Sequence, residues 1–383
     1  MLRFAGTTLS MPRWREVAPL GADAVGRVLP ISSIRFVLAM WVVLSHFSIP
    51  ILRDHKQMDI LGAFRALVNT AFNGPAAVIV FFVISGFCIH FPNRTGLVVR
   101  SWKLYYARRY FRTLIPMIAA LGLALPLKVP FGLFSDSVLW SLLCEEIYYF
   151  LYPALLFLRD RIGWRSLMAL SWGLSVITLL TDPRAIAYPS YGAGLNWILG
   201  LPCWLMGCRL AERLESFYAS PVSVYQIWAW RGATWMLSSL SLILRFHARI
   251  GYPWTLNLFA AFSTLWIERE IRFYKAGRKP LFEKLGEATY SIYLTHFSSG
   301  AIARTLPIYA AMPSGVAWFW TMLCCGLLAT AFYWLIERPS HRFARYFTRH
   351  SGLRRALPGL EGSPTYAPVP AEVVISAGGK GPS

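Results

Sequence analysis

Apolar runs of span length recur along this chain, near 31–51, 72–92, 113–130, 138–158, 165–181, 191–211, 224–244, 252–268, 281–303 and 316–336. About twenty apolar residues coiled as a helix cross the hydrocarbon of a bilayer. A segment in lipid must also satisfy its own backbone hydrogen bonds, which a helix does. The sequence therefore predicts an all-α protein, a polytopic integral-membrane bundle of about ten transmembrane helices. A β-barrel would show short alternating segments instead. Composition agrees: 56% of residues are hydrophobic and only 15% charged, where soluble domains carry about a quarter.

The formal charge of +20 invites a nucleic-acid partner, but its distribution excludes one. The basic residues sit in short runs between apolar segments, the pattern of the positive-inside rule. Arg94, Arg100, Lys103, Arg108, Arg109 and Arg112 follow the second span, and Arg159, Arg161 and Arg165 the fourth. Arg209 and Arg213 follow the sixth, and Arg269, Arg272, Lys275, Arg278 and Lys279 the eighth. All share a side with the N-terminus and the Arg-rich segment 338–355, which puts both termini in the cytosol. Arg53, Lys56 and Arg65 are the main exceptions.

Residues 1–30, with Arg3, Arg13, Arg15 and Arg27, read as a cytosolic N-terminal segment. The run after it is too long for a signal h-region and lacks a small-residue cleavage site, so it reads as a retained first helix. Residues 31–337 form the expected transmembrane domain, and 338–383 a cytosolic basic segment with a disordered tail rich in Pro, Gly, Ala and Ser after about 356. Cys88, Cys144, Cys203, Cys208, Cys324 and Cys325 show no zinc-like pairing and read as small buried apolar residues.

Ionisable side chains inside a span are costly and mark function. Arg35 and His46 both lie in the first run. Their separation returns them to nearly the same helical face with a rise of roughly 16 Å. Counting depths puts His46, one of Glu145 and Glu146, and His296 in the outer half of the bilayer. Arg35, the Ser85–Gly86 step and the Arg108, Arg109, Arg112 cluster fall inward. Glu145 and Glu146, about 100° apart on a helix, cannot both face one spot. Cations suit phosphates, which arginine binds bidentately, and a histidine beside a carboxylate suits general-base work on a hydroxyl. This arrangement fits a transferase with a cytosolic anionic donor and an acceptor on the far side.

Plainer readings stand beside these. His46 could be a helix-interior histidine bonded to a carbonyl. Arg35 could snorkel to the cytosolic surface, and the Arg108–Arg112 cluster could be a topology signal. Ser85 lacks a GxSxG elbow, so Ser85–Gly86 reads as helix packing. Trp41 and Trp140 read as core or interface aromatics. A proton-coupled exporter also suits intramembrane charges on ten spans, although no repeated halves are visible. A non-catalytic acyl-sensing scaffold is a third reading.

The blocks RFVLAMWVVLSH (35–46), FFVISGFCI (81–89), RRYFRTLIP (108–116), WSLLCEEIYYFLYP (140–153), YSIYLTHF (290–297) and IERP (336–339) occur in that order. Together they resemble the acyltransferase-3 family of membrane O-acyltransferases. The resemblance implies a ten-helix domain that moves an acyl group, usually acetyl from acetyl-CoA, onto a hydroxyl of a carbohydrate such as an O-antigen or exopolysaccharide. The family's first-helix Arg and His fall on Arg35 and His46, and its RxxR element on Arg109 and Arg112. Its VExxFY glutamate falls on Glu145, with Cys144 at the usual Val and Ile147–Tyr148 at the usual Gln–Phe. Its late YSxYLxH histidine falls on His296. The resemblance thus implies His46 as general base, Glu145 orienting or charge-stabilising it, Arg35, Arg109 and Arg112 on the acyl-CoA donor, and His296 on the acceptor. It further implies no metal, a glycan or lipid-linked sugar as partner, and residence in a bacterial inner membrane. Glu337, just before Pro339, reads as a helix stop with a charge partner. Helices five to eight match no motif.

Overall fold

A computed structural model describes residues 28–50, 70–93, 102–129, 139–214, 221–275 and 278–350. The expectations for the N-terminal arginines, for Arg53, Lys56, Arg65, Arg94 and Arg100, and for the tail lie outside those residues. Among the described residues the protein is all-helical, with no β-strand. The helices are α1 (Ile31–His46), α2 (Gly74–His90), α3 (Trp102–Ala124), α4 (Leu139–Thr181), α5 (Gly192–Arg213), α6 (Val224–His247), α7 (Tyr252–Lys275), α8 (Thr289–Arg304), α9 (Ser314–Phe332) and α10 (Arg338–His350). A π-helical turn at Tyr333–Glu337 joins the last two. By length and apolarity, segments 74–93, 139–181 and 314–346 suffice to cross a membrane.

Each predicted apolar run falls on a helix, with one correction. The fourth and fifth runs are the two limbs of α4, two helices that meet at a kink at Gly163, where φ is +78°. Glycine tolerates that left-handed backbone at no steric cost. The third run starts earlier than expected, because α3 begins at Trp102 and carries Arg108, Arg109 and Arg112 as helical residues rather than loop residues. Its first turns bury Leu104 and Tyr105, but the three arginines depress the local hydropathy and hide the helix from a hydropathy pass.

Helix α2 is the centre of the bundle: only Pro75, Phe81 and Cys88 are not buried in it. It packs on α1, α5 and α7. The α2–α5 contact is backbone on backbone. A Cβ on Gly86 would strike the Trp204 carbonyl, and one on Gly207 the Val83 carbonyl. The packing reading of Ser85–Gly86 is therefore what the structure shows, since small residues let helix backbones approach.

Buried polar groups lock the remaining helices. The Asn257 amide on α7 donates to Ser175 Oγ on α4 at 3.0 Å and to the Leu199 carbonyl on α5 at 2.9 Å, and its oxygen accepts from the Tyr188 hydroxyl at 2.7 Å. On α6, Arg231 forms a two-pronged pair with Glu270 of α7 at 2.6 and 2.9 Å. That pairing explains how an arginine sits inside a predicted span: its charge is neutralised before it meets lipid.

Candidate active site

Arg35 and His46 stand at opposite ends of α1. The helix stops at His46, where the Phe47 amide closes on the Val43 carbonyl and Trp318 on α9 donates to the Phe47 carbonyl at 2.9 Å. Trp318 thereby fixes the end of α1 beside α8 and α9.

The His46 ring is exposed and lies against two rings of α8. Its centroid is 5.3 Å from that of His296, with 29° between the planes, and 4.6 Å from that of Phe297. His296 is fully buried. Its Nδ1 lies 2.8 Å from the Tyr293 carbonyl oxygen. A carbonyl only accepts, so Nδ1 carries the proton and Nε2 is left as a lone pair. That Nε2 is sealed from solvent and has no hydrogen-bond partner. The two predicted histidines are thus brought together, one exposed and one holding a fixed, unsatisfied acceptor behind it.

Tyr293 continues the polar line: its hydroxyl lies 2.6 Å from Ser141 Oγ on α4. The family-like blocks of α8 and the chain end also meet, because Glu337 Oε2 accepts from the Ser291 amide at 3.0 Å and from its hydroxyl at 2.5 Å. The π turn swings the Glu337 carboxylate inward. Glu337 is therefore a buried clasp between α8 and the last helices: Ser291 gives it an amide and a hydroxyl, and His341 Nε2 lies 3.9 Å from its Oε1.

The second level gathers Arg35 of α1 with Arg109 and Arg112 of α3, all within electrostatic range of Cys88 on α2. The Arg109 guanidinium lies 3.7 Å from the centre of the Tyr149 ring, and the Tyr149 hydroxyl lies 2.8 Å from Ser85 Oγ. Arg109 Nε is sealed and without an acceptor. Among the described residues none of these three arginines forms a direct ion pair. The contrast within the same molecule is sharp: Arg159 pairs with Glu212, Arg231 with Glu270, and Arg269 and Arg272 with Glu268. On α10, His341 lies within electrostatic range of Arg112, Arg345, Arg35 and Arg109. This level is thus rich in cations.

Glu145 and Glu146 sit between the levels, and both act electrostatically on Arg109. Glu145 is expected from the sequence to orient His46. In the structure the ring contacts of His46 come from His296 and Phe297, and Glu145 lies within range of Arg109 and Tyr293. The physical reason is packing: α1 lies on α2 and α8, whereas α4 lies on α5.

Sequence reasoning missed a third cluster, at the Arg159 end of α4. His90 is fully buried and spans from the Tyr152 hydroxyl, 2.8 Å from Nδ1, to the Glu212 carboxylate, 2.9 Å from Nε2. Arg159 reaches the same carboxylate oxygen at 2.6 Å. A histidine ending an apolar run was the available signal. With both ring nitrogens bonded, this cluster ties α2, α4 and α5 together.

A bundle of apolar helices, three segments of which are long enough to cross a membrane, fits a membrane protein. The acyltransferase-3 family model, an acyltransferase domain, matches residues 31–338. Acyltransferase MdmB of Streptomyces mycarofaciens is 24% identical over 272 residues, which cover 61% of this chain and 70% of that protein. No solved structure matches. The chain belongs to the acyltransferase-3 family and is an acyltransferase.

Proposed function

We propose that this protein transfers an acyl group, acetyl being the family's usual cargo, from acyl-CoA to a hydroxyl of a carbohydrate acceptor. The observation that carries the reading is the set of three arginines that form no direct ion pair among the described residues, one rise of α1 away from an exposed histidine. Phosphates of the donor occupy Arg35, Arg109 and Arg112, which present planar N–H forks suited to them. The α1 rise from Arg35 to His46, roughly 16 Å, is of a kind that the extended pantetheine arm spans. His46 removes the acceptor's hydroxyl proton as the oxygen attacks the acyl carbonyl. The thioester C–S bond then breaks, and the imidazolium returns the proton to the departing thiolate. His296, with its lone pair behind His46, supports the imidazole, and Glu145 steadies Arg109. Family membership decides between transfer and export in favour of transfer.

We place the protein in a bacterial inner membrane with about ten spans and both termini in the cytosol. The cytosolic arginine runs support that orientation, and the acyl-CoA pool lies on that side. The test is acyl transfer by the purified protein with label in the acyl group of acetyl-CoA. Acceptor-dependent release of free thiol, with label moving to a glycan hydroxyl, is the expected result. Absence of CoA turnover with every hydroxyl acceptor offered would overturn the reading.

A further inference from the structure

Helices α6 and α7 frame a cleft of about 310 Å³ that shares no residue with the candidate active site. Its lining is Pro221, Val222, Gln226, Trp230, Arg269 and Arg272. The volume is at the lower end of the range for ligand pockets, about 300–1,000 Å³. The lining holds two cations and no carboxylate. Arg269 and Arg272 both reach one oxygen of the buried Glu268, at 2.6 and 3.2 Å. Arg231, on the same pair of helices, instead meets both oxygens of Glu270. The Arg269 guanidinium also lies 5.5 Å from the centre of the Trp230 ring. Gln226 turns its side-chain oxygen to the Ser223 amide at 3.0 Å, so its NH2 donors are what it can offer a ligand.

A second feature continues from the cleft along α7. Leu258, Phe262, Leu265, Arg269 and Arg272 recur at spacings of three and four residues, which is one stripe of a helix. Leu258 and Leu265 are exposed, and the Phe262 ring lies 4.9 Å from that of Trp230. An outward-facing apolar track thus ends in two arginines. The C-terminal end of α7 carries the basic run that the positive-inside rule puts in the cytosol. The track then faces the bilayer, and the cleft sits at headgroup level.

We propose that this cleft binds the headgroup of an anionic phospholipid of the cytosolic leaflet, with an acyl chain lying along the α7 stripe. The guanidinium N–H groups and the Gln226 amide meet the phosphodiester oxygens. Trp230 stands at the interfacial level that tryptophan favours, and Leu265 and Leu258 meet the chain. Basic pockets between transmembrane helices on the cytosolic side take such headgroups. A zwitterionic lipid brings its own cation to a cationic lining and is disfavoured. The bound lipid ties α6 to α7 at their cytosolic ends. The inference takes its orientation from the reading above but none of its site residues, and its test requires no turnover.

Native mass spectrometry of the full chain, from micelles holding equal amounts of dioleoyl phosphatidylglycerol and dioleoyl phosphatidylcholine, reads the preference. The wild type should retain phosphatidylglycerol in clear excess. Arg269→Gln and Arg272→Gln should each lower that retention about tenfold, the loss of a charge-assisted hydrogen bond. Leu265→Ser leaves both arginines on Glu268 and should lower it about fivefold through the chain contact. That variant carries the test where an arginine variant does not fold. Arg342→Gln, at an exposed arginine of α10, should retain phosphatidylglycerol like the wild type. Equal retention of the two lipids, unchanged retention in the cleft variants, or an equal loss in Arg342→Gln would overturn the proposal. Glycerol phosphate separates a lipid from a soluble anion. Failure to displace phosphatidylglycerol at equal concentration supports the lipid, whereas displacement would overturn it in favour of a soluble phosphate.

Discussion

The imidazoles of His46 and His296 lie 5.3 Å apart and 29° from parallel, one exposed and the other fully buried. The Tyr293 carbonyl fixes the proton of His296 on Nδ1, so the inner ring turns a lone pair into a closed space. On the proposed mechanism the outer histidine is the base and the inner one a positioning residue.

That distinction separates two variants. His296→Asn should lower kcat by roughly tenfold or more, as loss of an orienting partner does in other base-catalysed transfers, with the donor KM unchanged. Glu145→Gln should do the opposite, raising the donor KM through Arg109 and leaving kcat near the wild-type value. Steady-state kinetics on both variants checks the assignment, and a kcat loss in Glu145→Gln with an unaltered KM would return that residue to the histidines.

Arg112→Gln and Arg109→Gln should each weaken donor binding by about 1.5–3 kcal/mol, the contribution of a charge-assisted hydrogen bond. Lysine at Arg109 should restore less than lysine at Arg112, because the stack on Tyr149 needs a planar group. Calorimetric titration with acetyl-CoA reads both.

Packing makes a prediction independent of chemistry. Gly86→Ala and Gly207→Ala push a methyl into a facing backbone carbonyl, and neither carbonyl belongs to a flexible side chain that can yield. Each should cost about 1–3 kcal/mol, the usual range for overpacking, seen as a lower thermal midpoint in detergent. Gly173→Ala, on the same α4 that holds the glutamates, meets open space and should not lower the midpoint; alanine's better helix propensity, about 0.5–1 kcal/mol, should raise it slightly.

Charge neutralisation at Arg231 predicts a further stability effect. Glu270→Gln leaves the guanidinium without its counter-ion inside the bundle. The loss should be about 2–3 kcal/mol, below the 3–5 kcal/mol of fully buried pairs because Arg231 is partly exposed. Arg231→Met should be milder, since it removes the charge rather than stranding it.

Much of this was legible in the sequence, for identifiable reasons. Span-length apolar runs locate the helices because lipid imposes a length and a backbone constraint at once. The Arg35–His46 spacing and the depth of His296 place the two histidines at one level because a helix converts residue count into height. Counting cannot show which neighbour a side chain faces. Glu145 shares a depth with His46, but its helix packs elsewhere, and Arg109 is within the carboxylate's electrostatic range. The start of α3 was hidden because its arginines lower hydropathy where an amphipathic helix begins. His90 and Cys88 looked alike as residues near the end of an apolar run. Only the packing separates a fully bonded tether from an exposed thiol.

On the proposed mechanism His46 is the base and the arginines hold the donor. Its most direct test is acetyl-CoA binding and acyl transfer measured on the same preparation of His46→Ala. The prediction is binding at the wild-type Kd with transfer reduced by about 10²–10⁴-fold, the contribution of a general base. Transfer at the wild-type rate in that variant would rule out His46 as the base.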